Sequence, residues 1–419
     1  MSELIVDYDL IEETNNLAVP KLWRHFVNEK LDWGEIYTNF IREIQKSDKA
    51  PSMNINVNNS VKPWLKNKIF DQKVNDFENL EDWFVNWLND DNFCVLFDRI
   101  TDYSEEVFDF LVSKVIKGLR NKNFSVGADS YAIFGNYGYT PFGIHPDNEP
   151  IFLIHCGPGN KDIWYWKEKP DDKYIGSADI LEVNDDWKEF AEHVVLEPGD
   201  MIFIPSNVYH LLYTNDFSIT LGTAIFPGTA NALIRTGLSN LPIFSSENKQ
   251  LNVTWSNEES MKKEFNKIIK DGFGFEYNDL GEAIYQGLID QQYKLKSNGG
   301  FIGSPTLNQD SNVDFKKNCF RVKKNSEISF RKINEELIIY LRGKIIKLEY
   351  NALIEEALIL INKKPKFSFH NIFQVLGNEK VVHKLLDLFL MHKCIEVTCS
   401  CKLRGVNSNE QGNQEYQRN

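Results

Sequence analysis

The residues best suited to metal chemistry are His145 and Asp147, two positions apart in the stretch GIHPDNEPIFLIHC. If this stretch enters a sheet in extended form, both side chains project from one face, as two ligands of one ion must. A further histidine, His210, follows a tight turn and an apolar strand in EPGDMIFIPSNVYH. Taken alone, His-x-Asp is also a pair that a polar turn contains by chance, because the chain has 60 acidic residues.

The elements around these residues read as many short strands. From about 124 to 228, β-rich runs such as SYAIFGNYGYTPFG and SITLGTAIF alternate with Gly, Pro, Asn and Asp turns, which predicts a sandwich or barrel. Before it, FCVLFDRI is typical of a buried strand. The run DYSEEVFDFLVSKVIKGLR predicts a helix whose capping box is Asp102 with Glu105.

The remainder of the chain divides into a helical part and a mixed part. Residues 232–293 are helical in pattern, in MKKEFNKIIKDGF and LGEAIYQGLIDQQYKLK, and SNGGFIGSPTLNQDSN reads as a linker. ELIIYLRGKIIKLEY then predicts a hairpin turning at Arg342-Gly343. Three helical runs and the strand CIEVTC follow, which is the outline of a winged helix. The tail from Gly405 is polar and predicted to be disordered.

Composition narrows the class of protein. The chain has 419 residues and 42% hydrophobic residues, enough for two or three domains with a sizeable core. A net charge of -13 argues against duplex DNA as a partner and would suit a basic polypeptide, although acidity also simply keeps proteins soluble. Six cysteines form no disulfide framework, so we expect reduced thiols and a cytoplasmic protein. No signal peptide or membrane-spanning stretch is predicted.

The stretch SYAIFGNYGYTPFGIHPDNEPIFLIHCGPGNKDIWYW, followed by LEPGDMIFIPSNVYHLLYTNDFSITLGTAIF, resembles the Jumonji-C/cupin protein hydroxylases. The whole order of elements is most similar to the ribosomal-oxygenase subgroup, in which a catalytic cupin barrel precedes a C-terminal winged helix. The resemblance implies an α+β fold around a double-stranded β-helix. Residues 1–90 would form a helical flank and residues 91–228 the barrel. Residues 229–300 would form a helical dimerisation region, residues 313–403 a winged-helix-like domain and residues 404–419 a disordered tail.

The resemblance also implies a role for particular residues. His145, Asp147 and His210 would hold Fe(II) as a facial triad, which leaves positions open for 2-oxoglutarate and O2. No arginine occurs from Leu211 to Ile234, where one branch of these enzymes holds the cosubstrate, so Lys161 in GPGNKDIWYW is expected to bind its C5 carboxylate. Tyr131 would add a hydrogen bond. The link HCGPGNKD before Lys161 is longer and richer in Gly and Pro than is usual in the family.

The sequence therefore predicts an Fe(II)- and 2-oxoglutarate-dependent dioxygenase that hydroxylates a protein or peptide side chain. A basic substrate would suit the acidic charge of this chain. The helical region would make it a homodimer. Two alternatives stay open: an oxygenase of a small metabolite, and a cupin joined to a helix-turn-helix as a sensor-regulator. The predicted recognition helix NEKVVHKLLDLFLMHK has few positive charges, which disfavours nucleic-acid binding. His155 is interpreted as a buried scaffold residue.

Overall fold

A computed structural model describes residues 8–400 apart from 29–30, 48–49, 89–91, 120–126, 177, 179–180, 182–185, 227, 240–258, 260–262, 264–279 and 308–312. The helices within these residues are α1 (Leu10–Glu13), α2 (Trp33–Lys46), α3 (Leu80–Leu88), α4 (Ile100–Tyr103), α5 (Glu105–Leu111), α6 (Lys117–Leu119), α7 (Ala230–Ser239), α8 (Leu280–Ser297), α9 (Ala352–Lys363), α10 (Phe369–Leu376) and α11 (Glu379–Met391). A π-helical turn, Val112–Ile116, joins α5 to α6. Short 3-10 helices span Pro63–Phe70, Val74–Asp76, Asp172–Tyr174 and Asp186–Lys188.

The strands are β1 (Lys21–Trp23), β2 (Met53–Val57), β3 (Ser60–Val61), β4 (Phe93–Asp98), β5 (Gly127–Gly135), β6 (Gly138–Tyr139), β7 (His145–Pro146), β8 (Ile151–Gly157), β9 (Lys161–Trp166), β10 (Ala191–Leu196), β11 (Met201–Ile204), β12 (Tyr209–Thr214), β13 (Ser218–Phe226), β14 (Asn318–Val322), β15 (Ser329–Ile333), β16 (Glu336–Leu341), β17 (Lys344–Glu349), β18 (Phe367–Ser368) and β19 (Ile395–Ser400).

Two antiparallel sheets form the centre of the molecule. One has eight strands in the order β1-β11-β8-β13-β5-β4-β2-β3, and the other has the order β10-β9-β12-β6, with β7 added beside β12. Apolar residues of both sheets share one buried cluster, in which Ile151 and Leu153 of β8 join Ile163 of β9 and Leu212 of β12. The sheets therefore pack face to face. The predicted α+β class built on antiparallel strands is confirmed.

The N-terminal residues extend this sheet and cover its outer face. Strands β1, β2 and β3 are members of the eight-stranded sheet, and the amphipathic helix α2 packs on it. Tyr37 of α2 contacts Phe134 at a ring-centroid distance of 5.0 Å, and Phe40 contacts Phe97 at 5.3 Å. The predicted flank and the predicted barrel thus share one hydrophobic core.

One predicted helix start is wrong. Asp102 lies inside α4, and α5 begins instead after Ser104, whose hydroxyl accepts a hydrogen bond from the Val107 amide. Serine is a favourable N-cap residue because its backbone is extended and its short side chain brings a hydroxyl oxygen to an otherwise unpaired amide of the first turn. Glu105 is left free to contact other residues.

The C-terminal residues 313–400 have a hydrophobic core of their own. The predicted hairpin is confirmed: β16 pairs with β17 across Arg342 and Gly343, whose φ angles are 45° and 81°, as a two-residue turn of the favoured hand requires. Helices α9, α10 and α11 and strand β19 follow where they were predicted. The predicted helix MKKEFNKIIKDGF, apart from isolated positions, and the tail from Gly405 lie outside the described residues.

Two further expectations concern cysteines and membranes. Cys319 is disulfide-bonded, in contrast to the reduced thiols expected from the composition, whereas Cys94, Cys156 and Cys394 are buried and free. Among the described helices, none has both the length and the apolar character needed to cross a bilayer.

Candidate metal centre

The three predicted ligands meet at one edge of the smaller sheet. His145 of β7 lies directly opposite His210 of β12 in the ladder, so both imidazoles project from the same face. Their ring centroids are 4.6 Å apart. Asp147 follows β7, and its carboxylate oxygens lie 3.8 Å from Nε2 of His145 and 3.6 Å from Nε2 of His210. These residues, called the triad below, place one ligand atom each within 4.8 Å of one another.

The backbone around the triad fixes which nitrogen each histidine offers. His145 Nδ1 donates to the Gly143 carbonyl at 2.9 Å, and His210 Nδ1 donates to the Val208 carbonyl at 3.1 Å. Because a carbonyl only accepts, each Nδ1 carries the proton and each Nε2 keeps its lone pair toward Asp147. The Asn207 amide also donates to the Asp147 carbonyl at 2.7 Å and ties the ligand loop to the start of β12.

Burial keeps the deeper histidine neutral. Its side chain is 2% exposed, and burial together with the neighbouring His145 lowers the pKa of His210 to about 4. A neutral imidazole is the form that binds a metal. Two imidazoles and one carboxylate on one side of a site are the donor set of non-haem Fe(II) oxygenases, so the residues fit that metal.

Lys161 projects from the same inner face as the triad. Position 161 alternates with Ile163 and Tyr165 on β9, and Tyr165 lies opposite His210. The Lys161 side chain is fully buried, and its Nζ donates to the Tyr137 hydroxyl at 2.6 Å. Burial lowers the pKa of Lys161 to about 7. Among the described residues no carboxylate forms an ion pair with Lys161, so this buried cation is suited to an anionic ligand.

Tyr131 lies on β5 and lines a cavity of about 350 Å³ together with the triad. Its ring crosses Gly222 of β13, where an added Cβ would come within 2.2 Å of the ring. Burial, followed by the charges of Asp147 and Asp98, raises the pKa of Tyr131, so its hydroxyl stays protonated and can donate.

Two further residues of this centre were not predicted from the sequence. Tyr137, in the Gly-rich run FGNYGY, is 2% exposed and is the hydrogen-bond partner of Lys161. Thr140 is 1% exposed, lines the triad cavity, and its hydroxyl has no hydrogen-bond partner among the residues described. Neither residue carries a spacing signal, because Tyr137 lies in the short link between β5 and β6 and Thr140 directly follows β6.

The remaining histidines near the sheet lie apart from the triad. His155 is fully buried on β8, and its Nε2 donates to the Gly159 carbonyl at 2.9 Å. His193 is more exposed, stacks on Trp164 and lies 2.6 Å from Asp162.

Comparison with known proteins gives a family for the sheet region. Residues 106–233 match the model of the JmjC domain. This match confirms the predicted JmjC family for residues 106–233. No curated protein matches the chain.

Solved structures show more distant likenesses. The chain is similar to YcfD, a ribosomal oxygenase from Escherichia coli, solved with cobalt and succinic acid and also with cobalt and 2-oxoglutarate. Each alignment has 11% identity and a TM-score of 0.48 over 91% of this chain and 95% of that chain. DMSP lyase DddQ from Ruegeria pomeroyi aligns at 16% identity and a TM-score of 0.17, over 24% of this chain and 39% of that chain. At TM-scores below 0.5, these likenesses support no argument about chemistry.

Proposed function

We propose that this protein is an Fe(II)- and 2-oxoglutarate-dependent dioxygenase that hydroxylates a C–H bond in a side chain of a protein or peptide. The observation that carries the proposal is the triad itself: two Nε2 atoms with fixed tautomers and one carboxylate converge at one end of a face-to-face sheet pair. When bound, iron would activate O2, the oxidant, while 2-oxoglutarate would supply two of the four electrons and would be converted to succinate and CO2.

The residues of this chain have distinct tasks in that reaction. His145, Asp147 and His210 hold the metal, and the two backbone carbonyls behind the histidines keep the imidazoles in place. Lys161 and Tyr137 bind the C5 carboxylate of 2-oxoglutarate through a charge-assisted hydrogen bond and a phenol. Tyr131 donates a further hydrogen bond from the wall of the triad cavity. The apolar walls, such as Leu153 and Leu212, keep water out.

The parts outside the sheet pair are proposed to recognise a large substrate. A small-molecule oxygenase needs little beyond the sheet pair, whereas this chain adds residues 229–300 and 313–403. We propose the former as a dimerisation region and the latter as a winged-helix-like unit that contacts polypeptide. The hydrophobic core of residues 313–400 supports a separate unit, and the net charge of -13 supports a basic partner.

Anaerobic metal binding and succinate release test the proposal. We expect the protein to bind one Fe(II) per chain and to release succinate from 2-oxoglutarate when O2 is admitted. His145→Ala and His210→Ala should each weaken metal binding at least about 100-fold, because even a residue behind a ligand is worth 10- to 100-fold. His193→Ala is the matched control and should bind metal as the wild type does, since His193 contacts Asp162 instead. Equal metal binding by all four proteins would refute the proposal.

A further inference from the structure

Lys161 stands at the end of its strand, where the sheet holds its backbone on one side. It is the first residue of β9 and is paired with Leu196 of β10, whereas the ladder between β9 and β12 extends only to Asp162. The link that precedes it, residues 158–160, lies between the end of β8 and the start of β9. The position of the Lys161 ammonium group on the inner face therefore depends on how this link is held.

A buried histidine holds this link. His155 of β8 is fully buried, and its Nε2 donates to the Gly159 carbonyl, in the middle of the link, at 2.9 Å. Because a carbonyl only accepts, Nε2 carries the ring proton. Gly159 has a φ of 67°, which favours glycine, and its carbonyl faces back toward β8. The imidazole therefore joins the strand that ends at Gly157 to the link that follows it.

The backbone of this histidine is itself fixed by the turn before β11. The His155 amide donates to the Asp200 carbonyl at 2.9 Å, and the His155 carbonyl accepts from the Gly199 amide at 2.8 Å. The buried Asp200 carboxylate in turn accepts from Nη1 of Arg24 at 2.6 Å and from the His25 amide at 2.8 Å. The backbone that carries the imidazole is therefore held by a network that reaches the N-terminal residues.

His155 and Lys161 face the same interior from opposite sheets. His155 alternates along β8 with Ile151 and Leu153, and Lys161 alternates along β9 with Ile163, and these three apolar residues belong to the cluster between the sheets. Burial, and after it the charge of Lys161, lowers the pKa of His155 to about 4. The imidazole is therefore neutral near pH 7, and it donates its hydrogen bond without placing a second positive charge beside the ammonium group.

We infer that His155 is a positioning residue for Lys161: its imidazole holds the link at Gly159 and so keeps the ammonium group where it can meet an anion. The inference rests on the proposed function, in which Lys161 binds the C5 carboxylate of 2-oxoglutarate. Because His155 acts through the link, its loss affects recognition of that carboxylate and spares the end of the cosubstrate that the metal binds.

Two ligands that differ only at the distal end test the inference. 2-Oxopentanoate has the carbon chain of 2-oxoglutarate with a methyl group in place of the C5 carboxylate, and both are titrated calorimetrically, without O2, against Mn(II)-loaded protein. We expect His155→Leu to weaken 2-oxoglutarate binding about three- to tenfold, the range of one neutral hydrogen bond. Its affinity for 2-oxopentanoate and for Mn(II) should stay that of the wild type. His155→Gln should restore most of the affinity for 2-oxoglutarate, because its amide can donate to Gly159. His392→Leu, at a buried histidine just beyond α11, is the matched control and should bind 2-oxoglutarate as the wild type does.

A double variant separates positioning from general damage. In a Lys161→Met background, His155→Leu should cost no further affinity for 2-oxoglutarate, because the group that it positions is absent. Equal losses in both backgrounds, equal losses for both ligands, or an unchanged affinity for 2-oxoglutarate in folded His155→Leu would each overturn the inference. His155→Phe keeps a ring without the donor and gives the same test if His155→Leu does not fold. These titrations need no turnover, whereas succinate release by the Fe(II)-loaded wild type tests the proposed function, so the two can fail separately.

Discussion

At the scale of single residues, the least expected feature is a lysine buried beside a phenol. Lys161 contacts Tyr137 at 2.6 Å and has no ion-pair partner in the described chain. Burying an ammonium group without a counter-charge is costly, so the site is arranged for an anion at some expense of stability. Although the link before Lys161 is unusually long, Lys161 still lies on the inner face of the sheet. The role proposed for Lys161 is therefore supported by its contact with Tyr137 rather than by the sequence motif around it.

Loss of this lysine should weaken cosubstrate binding. Lys161→Met removes the charge and keeps most of the stem, so we expect 2-oxoglutarate to bind about 10- to 100-fold more weakly, as for a hydrogen bond to a charged group. Tyr137→Phe removes one neutral hydrogen bond and should cost about two- to tenfold. Calorimetric titration of anaerobic Mn(II)-loaded protein gives both values. Lys167→Met, just beyond β9 and highly exposed, is the control. Unchanged affinity in Lys161→Met would remove the lysine from the cosubstrate site.

The same lysine should make cosubstrate binding depend on pH. Burial lowers the pKa of Lys161 to about 7, so below that pH the free protein presents an ammonium group and above it a neutral amine. Because a carboxylate binds the protonated form, affinity for 2-oxoglutarate should fall as pH rises through 7, by up to about tenfold per pH unit. Lys161→Arg keeps its charge at all these pH values and should flatten the profile if it binds. A flat wild-type profile between pH 6 and 9 would contradict the expectation.

At the scale of elements, the sheet holds Tyr131 by leaving room for its ring. Gly222 of β13 is paired with Tyr131 of β5, and a Cβ at this glycine would lie 2.2 Å from the ring. Gly222→Ala should therefore destabilise the protein by about 1–3 kcal/mol, the usual penalty of overpacking. In a Tyr131→Ala background the same substitution should cost much less, since the obstructing ring is gone. Urea unfolding of the four proteins measures this coupling, and equal costs in both backgrounds would contradict it.

The elements also show how far the sequence could be read. The hairpin at Arg342-Gly343 could be predicted because Gly343 accepts positive φ between two apolar runs. The triad was predicted from the family resemblance of two spaced motifs, and the pairing of β7 with β12 brings those motifs together. The hairpin therefore rests on a local pattern, whereas the triad rests on a resemblance.

Other features depended on contacts that a local pattern does not contain. The start of α5 was predicted at Asp102, yet α4 takes up that residue and Ser104 provides the cap. Strand β1 pairs with β11 about 180 residues further along the chain, and β2 pairs with β4 about 40 residues further on, so their partners could not be inferred from their own sequences. The hydrogen bond between Lys161 and Tyr137 likewise depends on the direction that the chain takes after β5, which the sequence does not indicate.

At the scale of the whole molecule, a buried charge cluster joins the sheet region to the C-terminal residues. Arg342, from the β16–β17 turn, is fully buried and lies 3.7 Å over the ring of Phe108 of α5. Its guanidinium donates to Glu105 at 3.1 Å and to Asn298 at 2.8 Å, and Lys323 donates to Glu105 at 2.7 Å. The Glu105 carboxylate at the start of α5 thus receives two cations from the C-terminal residues, and this cluster ties residues 313–400 to α5.

Removal of that carboxylate should loosen the junction. Burial alone would raise the pKa of Glu105, but the charges of Arg342 and Lys323 hold that pKa below its ordinary value. Glu105 is therefore a carboxylate at neutral pH. Glu105→Gln would leave a buried guanidinium without a counter-charge, and we expect a loss of about 3–5 kcal/mol. Glu106→Gln, on the exposed side of the same helix turn, is the control and should change stability by less than about 0.5 kcal/mol.

Urea unfolding and limited proteolysis together decide whether the cluster works as a junction. If it does, Glu105→Gln should unfold at lower urea and should be cut faster between residues 298 and 330, where the connecting segment reaches the C-terminal core. Acid should mimic the substitution, because protonation of Glu105 removes the same charge; stability in the wild type should therefore fall as pH drops below the ordinary range of a carboxyl, and less so in Glu105→Gln. Equal urea midpoints for the Glu105 and Glu106 variants would show that the C-terminal residues are held by apolar packing alone.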